Sequence, residues 1–300
     1  MIVDAHAHIY DILAGYGAKG EFRPLGQGRG IWSTGEVEQF FPAQYGDLGF
    51  SAESLLALMD EAGVDHAVLL QGGNYGFHND YAAEAARRWP DRFTAAATLD
   101  PCAFYAEKIL DHMIGDEGIR VLKFELSQFW GLTGYHPGLS LDGVEFAPVF
   151  RRAEEAGVTV TLDLGPMGTA GCDPEALVRV RERYPALTMV LAHCFFPKED
   201  GKNGLRLEYM KRLVGDRFFF DIANLGAMGI TPGEVLDFLR AARAAVGADH
   251  LMWGTDVPGV LKRSSYRQMM ATVTESGIFR EEEVALVMGE TARRVYQIKV

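Results

Sequence analysis

Short apolar runs alternate with amphipathic stretches along most of the chain. A first strand opens at Met1-Ile2-Val3. Residues 64–70, 92–99, 119–126, 158–164, 187–193, 218–223 and 251–255 repeat its character, being largely apolar and bounded by turn residues or helix ends. Helical periodicity fills the spaces between. Ser51 caps a helix that Gly63 stops, and residues 81–89 form another that ends before Pro90. Further helices cover 103–115, the stretches leading to Gly157 and to Pro185, 209–214 and 232–246, with two more closing the chain. Eight strands in strict alternation with helices imply a parallel sheet covered on both faces. A length of 300 residues suits one α/β domain over 1–300, a closed (β/α)8 barrel of the TIM type. An open, doubly wound sheet is the alternative. It is disfavoured because no Gly-x-Gly-x-x-Gly follows the first strand.

Residues 11–50 break this pattern. They read as a long irregular stretch rich in glycine and in aromatics such as Tyr16, Phe22, Trp32, Phe40, Phe41 and Tyr45. So long a loop in a compact domain is usually functional, and its aromatics argue against disorder. It is expected to be a lid or pocket wall beside the first strand. The competing expectation is a surface elaboration or a contact between copies of the chain, as in a homodimer.

Composition narrows the class. With 48% hydrophobic and 23% charged residues, the chain matches an ordinary soluble globular protein. A net charge of −12 disfavours nucleic acid and anionic membrane surfaces, which both call for a basic face. The chain opens directly into a strand rather than a signal peptide, and no apolar run reaches membrane-spanning length. Cys102, Cys172 and Cys194 are too few and too scattered for a disulfide framework. A reduced, cytoplasmic protein acting on a small molecule is expected.

The strand ends carry the candidate chemistry, because barrel active sites are built at the carboxyl ends of strands. In Asp4-Ala5-His6-Ala7-His8, simple alternation puts Asp4, His6 and His8 on one face. Two imidazoles at i and i+2 can grip one metal ion. Alone, they are equally well two histidines on a polar edge strand. The fourth strand puts Lys123 and Glu125 on the same face as Val121. The fifth ends in Asp163, the sixth in His193 and the eighth in Asp256. Each has a bland reading: Lys123 pairs with Glu125, Asp163 caps a turn, and His193 is a satisfied core histidine. Their recurrence at matching ends favours a shared centre, since unpaired charge is costly to bury.

These motifs resemble the amidohydrolase superfamily, in particular its amidohydrolase-related branch. The resemblance rests on Asp4-Ala5-His6-Ala7-His8, on Val190-Leu191-Ala192-His193, on Gly254-Thr255-Asp256-Val257-Pro258 and on the terminal Gly289-Glu290-Thr291-Ala292-Arg293-Arg294. It spans the chain, and it implies a metal-dependent enzyme that is a hydrolase, decarboxylase or hydratase. One departure stands out: the family's fifth strand ends in a histidine, where this chain has Asp163. Thr291 also replaces the commoner asparagine.

The resemblance implies one or two divalent ions of zinc, iron or manganese. With one ion, His6, His8 and Asp256 hold it and Asp163 is the fourth ligand, while His193 acts as acid or oxyanion donor and Lys123 orients the substrate. With two, Glu125 or a carbamylated Lys123 bridges them, and Asp163 and His193 hold the second. The Lys123–Glu125 pair tilts the reading toward two. Asp256 then shuttles the proton from an activated water to the leaving group, with His193 or Lys123 stabilising the oxyanion. Trp32, Phe40, Phe41, Tyr75, Phe77, Phe129, Trp130, Met167, Phe195, Phe196 and Met228 are expected to line the pocket. Asn74, His78, His136 and Arg23 are its candidate polar anchors. Such a pocket suits an apolar or aromatic substrate cleaved at an ester, thioester, lactone or amide. Decarboxylation of an aromatic acid is the second reading, and a catalytically silent binding or scaffold barrel is the third.

Overall fold

The computed structural model describes residues 1–299. The eight barrel strands are β1 (Val3–Ala7), β2 (His66–Leu69), β3 (Phe93–Ala95), β4 (Val121–Glu125), β5 (Thr159–Asp163), β6 (Met189–Leu191), β7 (Phe218–Asp221) and β8 (Leu251–Met252). All pair in parallel, β1 to β3 in one arc and β4 to β8 in another. Backbone bonds join the arcs at both seams. Ala97 N–H donates to Val121 and Lys123 N–H to Ala97, each at 2.9 Å, while Ala5 N–H donates to Trp253 at 3.0 Å and Asp256 N–H to His6 at 2.7 Å. The chain is therefore the TIM-type α/β barrel expected.

The Ser51 and Gly63 signals act as read. Ser51 Oγ accepts from Ser54 N–H to open the helix Ala52–Ala62, and Gly63 ends it at φ 75°. Thr231 and Glu234 form a reciprocal capping box on Pro232–Val246.

The lower lumen is apolar. Val3, Ala5, Val68, Val121, Val190, Phe219 and Met252 pack there with Val295 and Tyr296 from the chain's last turns. Thr159 Oγ1 donates to the Val295 carbonyl, and Thr161 hydrogen-bonds the Tyr296 hydroxyl. With that end filled, polar strand ends gather at the other mouth.

Residues 11–50 differ from the expected irregular loop. They hold a four-stranded antiparallel sheet of Gly15–Gly17, Gly20–Gly26, Arg29–Trp32 and Val37–Gln39. Gln27 and Gly28, both at positive φ (58° and 69°), form one tight hairpin turn. Glycines diluted the period-2 signal and hid these strands. Phe22 stacks on Trp32 at 4.4 Å, and Trp32 meets Trp130 of the β4 loop at 5.1 Å, so aromatic contacts hold the sheet beside the barrel mouth.

Candidate metal centre

The first strand departs from simple alternation. Asp4 pairs with Ala67 and Ala7 with Leu69, so β1 carries one extra residue there, a β-bulge. Asp4 thus leaves the face of His6 and His8. Its Oδ1 accepts from the His6 and Thr255 N–H groups, and its Oδ2 from the Thr255 and Tyr266 hydroxyls. Burial pushes the Asp4 carboxyl up to about 6 against those four bonds. Asp4 is a pin between β1 and β8.

His6 and His8 face the lumen. His6 Nδ1 lies 2.9 Å from Asp221 Oδ2, and His8 Nδ1 lies 2.9 Å from the Leu70 carbonyl. Both partners can only accept, so each ring carries a proton on Nδ1. Nε2 of His8 then stands 3.1 Å from Asp256 Oδ1, and Nε2 of His6 stands 3.7 Å from the same atom. His6 Nε2 is buried and has no hydrogen-bond partner. A proton between His8 and Asp256 would leave His6 unsatisfied, whereas one cation satisfies both nitrogens and the carboxylate. Two imidazoles and a carboxylate suit zinc, iron or manganese.

Asp256 Oδ2 accepts from Asn224 Nδ2 at 2.6 Å, and Asn224 Oδ1 accepts from Arg263 at 2.7 Å. Burial alone would raise the Asp256 carboxyl, but without a cation the adjoining imidazoles, when protonated, hold it well below the usual range, His8 by a hydrogen bond and His193 by its charge. Burial lowers His6 in turn, with Asp221 opposing.

His193 follows β6 in a left-handed turn. Residues 193–196 have φ of 56°, 48°, 63° and 52°. Left-handed non-glycine residues cost roughly 1–2 kcal/mol each, so several contacts must hold this turn. His193 N–H donates to Asp221 Oδ1, the Cys194 thiol to the Asp221 carbonyl, and the buried Arg206 to the Phe195 carbonyl. His193 Nδ1 donates to the Ala223 carbonyl at 2.8 Å, which leaves Nε2 at 3.5 Å from Asp163 Oδ2. Burial works against a charged His193, but Asp163, then Asp221 and Asp256, push it up to about 10. Asp163 Oδ1 accepts from Gly165 N–H. Lys123 Nζ meets Glu125 Oε2 at 3.4 Å, and Ser127 donates to Glu125 Oε1 at 2.7 Å.

All seven of these groups, His6, His8, Lys123, Glu125, Asp163, His193 and Asp256, line one cavity of about 480 Å³. Asn74, Tyr75, Phe40, Phe129, Trp130, Phe196 and Met228 complete much of its wall. Donor atoms within 4.8 Å of one another form the group His6–His8–Asp256 and the group His6–His193–Asp221, and neither contains Glu125 or Asp163.

Several expected pocket residues lie elsewhere. Trp32 stands behind Trp130, stacked on Phe22 with Nε1 donating to Glu38. Phe195, Phe41 and Met167 belong to the core around the barrel. Phe77 and Arg23 are exposed away from the cavity lining. His78 is held by the Tyr75 carbonyl and Asp11. His136 pairs with Asp100 at 2.7 Å, outside the cavity.

Asp221 escaped the sequence reading although it ends β7. It accepts from His6 Nδ1, His193 N–H and Ala223 N–H, fixing both ring orientation and the left-handed turn. The strand-end rule applied to Phe218-Phe219-Phe220-Asp221 finds it. Asn224 and Arg263 carry no comparable signal.

Gly254 lets β8 approach β1. A Cβ there would stand 2.8 Å from His6 Cβ, 2.9 Å from His6 N and 3.3 Å from Ala223 Cβ. Gly254→Ala should therefore cost about 1–3 kcal/mol and displace His6. Thermal melting and metal titration should both register the loss.

Fold and site together define a barrel with a histidine–carboxylate centre at its carboxyl mouth. The amidohydrolase family model matches residues 3–298, and the chain belongs to that family. No curated protein matches it in sequence. Among solved structures it is similar to an amidohydrolase from Burkholderia multivorans with bound zinc, at 17% identity, TM-score 0.75 and 100% of each chain covered. It is also similar to a probable 2-pyrone-4,6-dicarboxylic acid hydrolase from Acinetobacter baumannii, at 16% identity, TM-score 0.71 and 99% of each chain. A 2,6-dihydroxybenzoate decarboxylase from Rhizobium aligns over 81% of this chain and 87% of its own, at 17% identity and TM-score 0.60. At these identities the likeness concerns the fold. Among the described residues, no helix is long and apolar enough to cross a membrane.

Proposed function

We propose that the chain is a metal-dependent hydrolase that cleaves an acyl bond (ester, thioester, lactone or amide) of a largely apolar or aromatic small molecule. The observation that carries the reading is the convergence of His6 Nε2, buried without a partner, and His8 Nε2 on one oxygen of Asp256. Nitrogen lone pairs aimed at a carboxylate are the signature of a cation site. A divalent ion held there supplies Lewis acidity, polarising a carbonyl and acidifying water.

The chain's own groups supply the rest. Asp256 is held ionised beside the cleft and accepts the water proton, later returning it to the leaving group. Asn224 occupies its second oxygen, so proton and cation compete for the first. His193 keeps a proton on Nε2, facing the cavity, where it can steady a developing oxyanion. Phe40, Tyr75, Phe129, Trp130, Phe196 and Met228 exclude water from an apolar substrate body.

The donor grouping supports one ion rather than two. Glu125 is already engaged by Lys123 and Ser127, and Asp163 by Gly165 with His193 nearby.

Metal content of the pure chain should exceed that of a His8→Ala variant by one ion, and by two if a second ion shares the site. Dialysis against a chelator should abolish turnover, and zinc, manganese or iron(II) should restore it. A panel of acyl esters, lactones and aromatic acids, assayed for acid and for carbon dioxide release, tests the reaction. Carbon dioxide without acid would replace hydrolysis by decarboxylation. Full activity in the chelated chain would overturn the metal-dependent reading.

A further inference from the structure

We infer that Asp100, Cys102 and His136 form an outer binding site for a zinc-type divalent ion, sharing no residue with the centre on β1. One donor atom from each of the three lies within 4.8 Å of the other two. Donors around a tetrahedral zinc, at about 2.0–2.3 Å from the ion, stand roughly 3.5 Å apart. The remaining closure is small for side chains at the protein surface: Cys102 is exposed, and Asp100 and His136 are half-buried.

Two segments bring the donors together. Asp100 and Cys102 lie in the turn after β3, and His136 ends the short helix Leu132–Tyr135 after β4. Asp100 joins them. Its Oδ1 accepts from Cys102 N–H at 2.8 Å, and its Oδ2 lies 2.7 Å from His136 Nε2. His136 is itself fixed by its N–H, which donates to the Leu132 carbonyl at 2.8 Å. The carboxylate thus ties the Cys102 backbone to the His136 ring.

The donor set selects the ion. Thiolate, imidazole and carboxylate together suit zinc, and disfavour magnesium and calcium, which take oxygen ligands. An incoming cation displaces the thiol proton on binding. Three protein ligands leave a fourth position for water. The segment ending at His136 also carries Trp130 of the cavity wall, so the ion would tie the β3 loop to the segment that bears that wall.

Cobalt(II) titration tests the site, because only a cysteine ligand produces the intense near-ultraviolet thiolate-to-cobalt absorption. The full-length chain should develop this band, saturating at one ion per chain. Cys102→Ser and His136→Ala should each lose it, and His8→Ala should keep it, which separates this site from the inner centre. Native-state labelling of Cys102 with a thiol reagent is the second measurement. Zinc should slow labelling in the wild type but not in His136→Ala. The inference is overturned if the wild type shows no thiolate band, if the band survives in Cys102→Ser, or if zinc leaves labelling unchanged.

Discussion

Asp256→Asn is expected to lower turnover by roughly 10³-fold or more while leaving the barrel folded, since it removes both a charged ligand and the proton acceptor. Asparagine is the informative replacement. Asp256 has φ 65°, and after glycine, asparagine tolerates that left-handed geometry best. The backbone bond from Asp256 N–H to the His6 carbonyl, which closes the seam between β8 and β1, does not depend on the side chain. Circular dichroism and melting temperature should therefore stay near wild type. Bound metal should fall, because two neutral imidazoles lose their anionic partner. Wild-type kcat in this variant would remove Asp256 from the chemistry and sink the proposed mechanism.

The fold was legible because a barrel repeats one signal eight times. Each βα unit pairs an apolar run with a helical stretch, and errors of a few residues at the ends do not change the count. The site was legible for the same reason. Asp163, His193 and Asp256 stand out by position at strand ends alone, and the three side chains line one cavity. Alternation failed where the backbone leaves regular geometry. The bulge in β1 separates Asp4 from His6 and His8. In the left-handed turn after β6, Phe195 goes to the core and Phe196 to the cavity. Composition could not say which aromatics meet substrate, because Trp32 and Trp130 are alike in sequence but stand one behind the other. The antiparallel sheet in 11–50 was hidden by glycines that its turns and close contacts require.

Asp163 stands where the family resemblance implies a histidine. In place of a neutral imidazole, its carboxylate faces His193 Nε2 at 3.5 Å, and its charge, with the hydrogen bond, favours a protonated ring. In the mechanism we propose, the sixth-strand histidine holds a proton and the cation is left to His6, His8 and Asp256. On that reading, Asp163 links the altered fifth strand to the single ion proposed.

Asp221 offers the second large effect, and two substitutions separate its roles. Asp221→Ala should cost about 3–5 kcal/mol, because it strands the His6 Nδ1–H and two backbone N–H groups inside the barrel. Loss of folding alone would not reveal a role in metal binding. Asp221→Asn does. An amide oxygen at the Oδ1 position still accepts from His193 and Ala223 N–H, so the left-handed turn survives. The amide NH2 now faces His6 Nδ1 and donates where the carboxylate accepted. His6 must shift its proton to Nε2, turning the lone pair aimed at the cation into an N–H. Metal affinity should drop at least about 10–100-fold, in a chain whose melting temperature falls far less than that of Asp221→Ala. Zinc competition against a chromophoric chelator, run beside thermal melts of both variants, reads the two effects apart. Unchanged zinc affinity in Asp221→Asn would mean that Asp221 braces the barrel mouth without setting the His6 tautomer.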